Sequence, residues 1–118
     1  MYELLFWNYK EGVYLNHHEV YEAIEDNQFI DGLEEIQTEV IINRVNSVFS
    51  NWERIDKNSW KNPNGIGAFQ VLSASNYIKI DCYGTEGKTM DLIVNTLEEF
   101  KLSLYDPQIP VRYDEFNE

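Results

Sequence analysis

From Tyr77 to Tyr83 the chain alternates strictly, with Ile78, Ile80 and Cys82 set against Tyr77, Lys79, Asp81 and Tyr83. A period of two is the signature of a strand whose sheet has one buried face. This run commits the chain to a sheet, and its neighbours extend it. Ala68–Ser73 precedes it across a short Ala74-Ser-Asn76 connection, so the two segments read as antiparallel strands. Asp81, the lone acid of its strand, faces away from Ile78 and Ile80 and is expected on a solvated face beside Lys79. Tyr2-Glu-Leu-Leu-Phe-Trp7 reads as a buried strand, and Leu102-Ser-Leu-Tyr105 as a last one, stopped by Asp106-Pro107. Pro110 makes the acidic tail from about residue 106 irregular, and Val111-Arg-Tyr113 can pair only at an edge.

Three segments carry helical spacing instead. Asn16 followed by Glu19 is an N-cap pattern, which predicts a helix from about His17 to Asn27 with Val20, Tyr21 and Ile24 on one side. Phe29-Ile30 and Leu33 are expected to anchor the loop that follows, with Gly32 permitting a turn. Thr38 is a candidate cap for a second helix from Glu39 to about Ser50, whose stripe is Ile41, Val45, Val48, Phe49 and Trp52. Most of that helix's apolar residues are β-branched, so tertiary burial must hold it. A third, from about Lys88 to Lys101, turns Met90, Ile93, Val94, Leu97 and Phe100 inward. Asp56–Gly67 contains the turn sequence Asn62-Pro-Asn-Gly65 and reads as a loop carrying Trp60.

The expected fold is therefore one α+β domain spanning residues 1–118. Its order is β-α-α-β-β-α-β, a ferredoxin-like variant with helices on one face of a mostly antiparallel four-stranded sheet. The single cysteine excludes an internal disulfide. No apolar run approaches the roughly 20 residues of a membrane span, and no basic leader precedes one, so the expected compartment is the cytoplasm.

Charge is the main functional signal. The formal net charge is −12, which opposes binding to nucleic acid or to anionic membranes. It is concentrated between Glu11 and Asn43, where Glu11, Glu19, Glu22, Glu25, Asp26, Asp31, Glu34, Glu35 and Glu39 meet no Lys or Arg. Glu19, Glu22 and Asp26 fall on one helical stripe. Such a run is either a solvated helix face or a surface held for a basic partner, since clustered carboxylates repel and weaken the fold that carries them.

Motifs for catalysis are sparse. His17 and His18 are adjacent on a helix and point about 100° apart, so they read as surface residues rather than ligands of one metal ion. Cys82 lies on the inward register and reads as a buried hydrophobe. The glycine pairs Gly65/Gly67 and Gly84/Gly87 fit no phosphate loop. No cofactor is expected. Trp60, between Ser59 and Lys61, is either a loop aromatic folded back on the sheet or a partly exposed anchor for a partner.

An opening strand, an acidic helix pair, a central hairpin, a helix and the closing segment Leu104-Tyr-Asp-Pro-Gln108 resemble small immunity proteins of bacterial polymorphic toxin systems, including contact-dependent growth inhibition. The resemblance implies a non-catalytic inhibitor of a cognate toxin domain, and carries over no residue-level motif. The charge pattern favours a nuclease with a basic cleft, met by Glu19, Glu22, Glu25, Asp26, Asp31, Glu34, Glu35 and Glu39, with Trp60 adding apolar contact. The alternatives are a regulatory adaptor for another basic protein and, further off, a small metal-dependent hydrolase.

Overall fold

A computed structural model describes residues 1–113. The order is β1 (Tyr2–Trp7), α1 (His17–Glu25), α2 (Thr38–Val48), β2 (Glu53–Asp56), β3 (Ser59–Lys61), β4 (Ala68–Ser73), β5 (Ile78–Tyr83), α3 (Gly87–Glu98), β6 (Ser103–Asp106) and β7 (Val111–Tyr113). The strands make one seven-stranded sheet, ordered β2-β3-β4-β5-β1-β6-β7, with every neighbouring pair antiparallel.

The α+β class matches expectation, whereas the four-stranded ferredoxin-like variant does not. The additional strands lie at the two ends of the sheet. All four residues of β2 are exposed, and β3 has only three residues, so neither shows an apolar alternation. A register shift between Arg54 and Asp56 removes what periodicity remained. At the other end, residues 107–110 form a turn, and Val111–Tyr113 pairs with β6 as the edge strand that the sequence allowed, adding a strand the four-stranded expectation left out. The tail acids Asp114, Glu115 and Glu118 lie outside the described residues.

The helices also differ from expectation in occupying both faces. β1 is central, and its two side-chain sets face different cores. Leu4 and Phe6 join α2 and α3 with Ile41, Val45, Ile93 and Leu97; Leu5 and Trp7 join α1 with Val20, Ile24 and Tyr105. A strand covered on both sides reads as an unbroken apolar run, which is why residues 4–7 show no alternation. The helical stripes themselves fall as expected. Asn16 caps α1 by accepting the Glu19 N–H at 3.1 Å. Thr38 does not cap α2: Gln37 holds that position, and the Thr38 hydroxyl donates to the Ala74 carbonyl at 2.9 Å, tying α2 to the β4–β5 turn.

Trp60 belongs to this core. Its ring is fully buried and stacks on Phe69 at 5.2 Å, its indole N–H donates to Asn46 at 3.1 Å, and Arg54 lies over its outer face. No helix among the described residues is long and apolar enough to cross a membrane.

Candidate partner-binding surface

The nine acids between Glu11 and Asn43 do not form one patch, because the chain crosses from one face of the sheet to the other between α1 and α2. Glu19, Glu22 and Asp26 line the exposed side of α1. Glu34 and Glu35 sit at the end of the sheet, where the Glu34 N–H donates to Asn8 and the Ile36 N–H to Ser75, each at 2.8 Å. Glu39 is on α2, on the opposite face from α1, and pairs with Lys57 at 3.3 Å. Glu25 turns inward to Lys79 at 2.9 Å, and Asp31 meets Lys10 at 3.5 Å. Glu25 and Glu39 therefore leave the surface expected of them. Trp60 leaves it too, since a fully buried ring offers a partner nothing.

What remains is one continuous unit: α1 with the loops at its two ends, stapled to each other. The Lys10 N–H donates to the Gly32 carbonyl at 2.8 Å, Tyr9 bridges to Leu33, and Lys10 pairs with Asp31. Gly32 makes the close approach possible. Its φ of +99° suits glycine, and a Cβ there would meet Val13 Cγ1 at 3.0 Å. These loops carry the two most exposed aromatic side chains of the described residues, Tyr14 at 91% and Phe29 at 84%. The same loops carry the exposed acids Glu11, Asp26, Asp31 and Glu34, and beside Tyr14 opens a hollow of about 420 Å³ whose charged walls are Glu11, Glu34, Lys10 and Arg112.

The apolar spacing of the sequence marks neither aromatic as an exposed contact. Phe29 was expected to anchor its loop, but Ile30 and Leu33 do so, at 9% and 2% exposure. The signal lies in the pair Phe29-Ile30: adjacent side chains of a non-helical segment point apart, so only one of them enters the core. Tyr14 follows Gly12 in a loop without apolar periodicity, a weaker sign.

Beneath α1 lies a compact ionic cluster. Lys79 reaches Glu25 at 2.9 Å, Glu3 at 3.4 Å and Asp81 at 3.6 Å, and the Tyr21 hydroxyl donates to Glu3 at 3.2 Å. Asp81 is thus 6% exposed rather than solvated, because α1 covers its side of the sheet. Burial raises the Glu3 and Asp81 carboxyls, an effect Lys79 only partly offsets. A hydrogen bond between Glu3 and Glu25, with the Lys79 contact added, lowers Glu25. Burial pulls the Lys79 ammonium down, yet its hydrogen bond to Glu25 and the surrounding carboxylates hold it above its ordinary value. The cluster keeps its lysine charged and straps α1 to β1 and β5.

The remaining candidates take structural partners. His17 Nδ1 lies 2.7 Å from the Tyr9 hydroxyl and His18 Nδ1 2.7 Å from that of Tyr105. Cys82 is buried, and burial pushes its thiol up to about 11, far from a reactive thiolate. Among the described residues no group of three or more His, Cys, Asp or Glu is arranged to hold a metal ion. No protein-family model matches the chain, and no curated protein matches it by sequence.

Proposed function

We propose that this chain is a non-catalytic binding protein whose α1 unit docks a basic protein, and that the partner is a toxin domain held inactive in the cytoplasm. The observation that carries the reading is the exposure of Tyr14 and Phe29 within an acid-rimmed surface. A soluble protein gains nothing from keeping two large aromatic rings almost wholly in water, whereas interface cores are enriched in them and their acidic surround steers a cationic counterpart. A nuclease toxin fits this chemistry best, because the basic cleft that would grip phosphates presents the charges that Glu19, Glu22, Asp26 and Glu34 complement.

The test begins with the reading frame next to the gene. Expressed alone it should arrest growth, and co-expression of this chain should restore it. The Tyr14→Ala/Phe29→Ala double variant should keep the fold and lose protection. Each ring placed at an interface centre is worth about 2 kcal/mol or more, so losing both costs about 4 kcal/mol and affinity should fall by ~1000-fold. Protection by the double variant at wild-type level would refute the surface. A harmless neighbour would move the reading to an adaptor.

A further inference from the structure

The side of the sheet that carries α2 and α3 is incompletely covered. α2 packs over β3 and β4, where Phe49 meets Phe69, and α3 packs over β5 and β1. Among the described residues no helix covers this side of β6 and β7. Register places Phe6, Leu104 and Tyr113 in one row across β1, β6 and β7. Exposure rises along the row as it leaves α3: Phe6 is fully buried, Leu104 half-buried and Tyr113 39% exposed. Val111, in the next row, is 40% exposed. Between this strip and α3 runs an open groove of about 300 Å³, floored by Tyr2, Leu4 and Leu104 and walled by Met90 and Val94.

The dimensions of the strip suit a particular occupant. Strands lie about 4.8 Å apart, so two strands span roughly the 8–10 Å that separate packed helices. One helix lying beside α3 would cover β6 and β7 and complete the layer. β6 has four residues, about 13 Å of strand, which a helix of roughly nine residues matches. The polar groups lining the groove define the charge of that helix. Asp91 and Glu98 stand seven residues apart on α3, flanking Val94, and Asp106 closes the lower end. Neither Asp91 nor Glu98 forms an ion pair with another described residue, and no Lys or Arg lines the groove.

We infer that the groove between α3 and the β6–β7 strip is a docking site for a short amphipathic helix of a partner protein, apolar along one stripe and carrying Lys or Arg beside it. Charge complementarity selects this occupant over a second copy of the chain, whose net charge is −12. The apolar stripe meets Leu104, Val94 and Met90, and the flanking cations reach Asp91 and Glu98. The surface is on the other face from Tyr14 and Phe29, so the inference stands apart from the α1 reading.

The test uses two synthetic 14-residue helical peptides with leucine at i, i+3, i+7 and i+10, one filled out with lysine and the other with glutamate. Titrated into isotopically labelled full-length protein, the lysine peptide should give saturable shifts in the NMR signals of Met90, Val94, Leu104 and Val111. The Asp91→Lys/Glu98→Lys variant changes exposed residues only, and its affinity for the lysine peptide should fall at least tenfold. That variant should also acquire binding of the glutamate peptide at the same residues. Shifts spread over the acidic α1 face, an affinity indifferent to the charge swap, or groove shifts that depend on protein concentration without peptide would each overturn the inference. The last would assign the groove to a second copy.

Discussion

Replacing Lys79 with methionine isolates what the cluster under α1 contributes. Methionine keeps most of the apolar stem and removes only the ammonium, which reaches Glu25, Glu3 and Asp81 at 2.9, 3.4 and 3.6 Å. The Glu25 side chain is 34% exposed and can turn to water, so its lost contact costs little. Glu3 and Asp81, at 14% and 9%, have no such escape and remain as buried carboxylates without a counter-charge. Breaking a buried pair by deleting one partner costs about 3–5 kcal/mol. With part of the cluster solvated, the lower end applies, about 3 kcal/mol at pH 7.5. At a urea m-value of roughly 1.5 kcal/mol/M, that is a midpoint shift of about 2 M.

The loss should also depend on pH, with a definite sign. The Glu3 and Asp81 carboxyls are already raised in the folded protein, and without Lys79 they rise further. A carboxyl raised on folding binds its proton more readily in the folded state than in the unfolded one. Stability from that source therefore increases as pH falls from the folded value toward the unfolded one. Glu25, lowered on folding, works in the opposite direction: its contribution is present above the ordinary carboxylate range and fades as pH falls through its folded value. Since Lys79 supplies part of that lowering, the variant has less of it to lose in acid. The first effect narrows the gap between the two proteins at pH 4.5, and the second adds to that narrowing at still lower pH. Urea unfolding followed by tryptophan fluorescence at pH 7.5 and 4.5 reads it directly. A difference under about 1 kcal/mol at pH 7.5, or an equal difference at both pH values, would refute the strap.

Two further variants separate core from surface. Trp60→Ala removes a fully buried ring together with its stacking on Phe69 and its bond to Asn46, and should cost about 3–5 kcal/mol in urea unfolding. Gly32→Ala places a methyl 3.0 Å from Val13 at a φ of +99°, and should destabilise by more than about 1 kcal/mol while speeding proteolysis between residues 10 and 15.

Where apolar side chains were confined to one side of an element, the sequence was legible. The α1 and α2 stripes, the Asn16 cap and the β4–β5 pair follow from the spacing of Val20, Ile24, Ile41, Val45, Ile78 and Ile80. Illegible elements share a physical cause, which is that they lie at the margins of the sheet. A strand such as Glu53–Asp56, exposed at every residue, draws its order from the backbone ladder to β3, and a ladder leaves no trace in side-chain periodicity. Leu4-Leu5-Phe6-Trp7 held the opposite clue. An unbroken run in a central strand requires cover on both faces, and that alone argues against helices confined to one side. Lys79 and Asp81 misled for the same reason, since polar residues on a strand mean solvent only where nothing packs above them.

The same crossing governs how the charge should be understood. Contiguity in sequence places Glu25, Glu34 and Glu39 in one block, yet they end under α1, beyond the end of β1 and on α2. Three of the nine acids, Glu25, Asp31 and Glu39, are matched by lysines from outside the block. Carboxylates so paired serve the fold as much as any partner, so charge density by itself does not mark an interface here. The exposed rings discriminate better. An acid at the surface is in its preferred solvent, whereas Tyr14 and Phe29 are held in water by loops whose own anchors, Ile30 and Leu33, are buried. An interface built on them takes its affinity from ring burial, with the acids setting mainly the rate of encounter. Salt should accordingly slow association at this surface while leaving dissociation nearly unchanged.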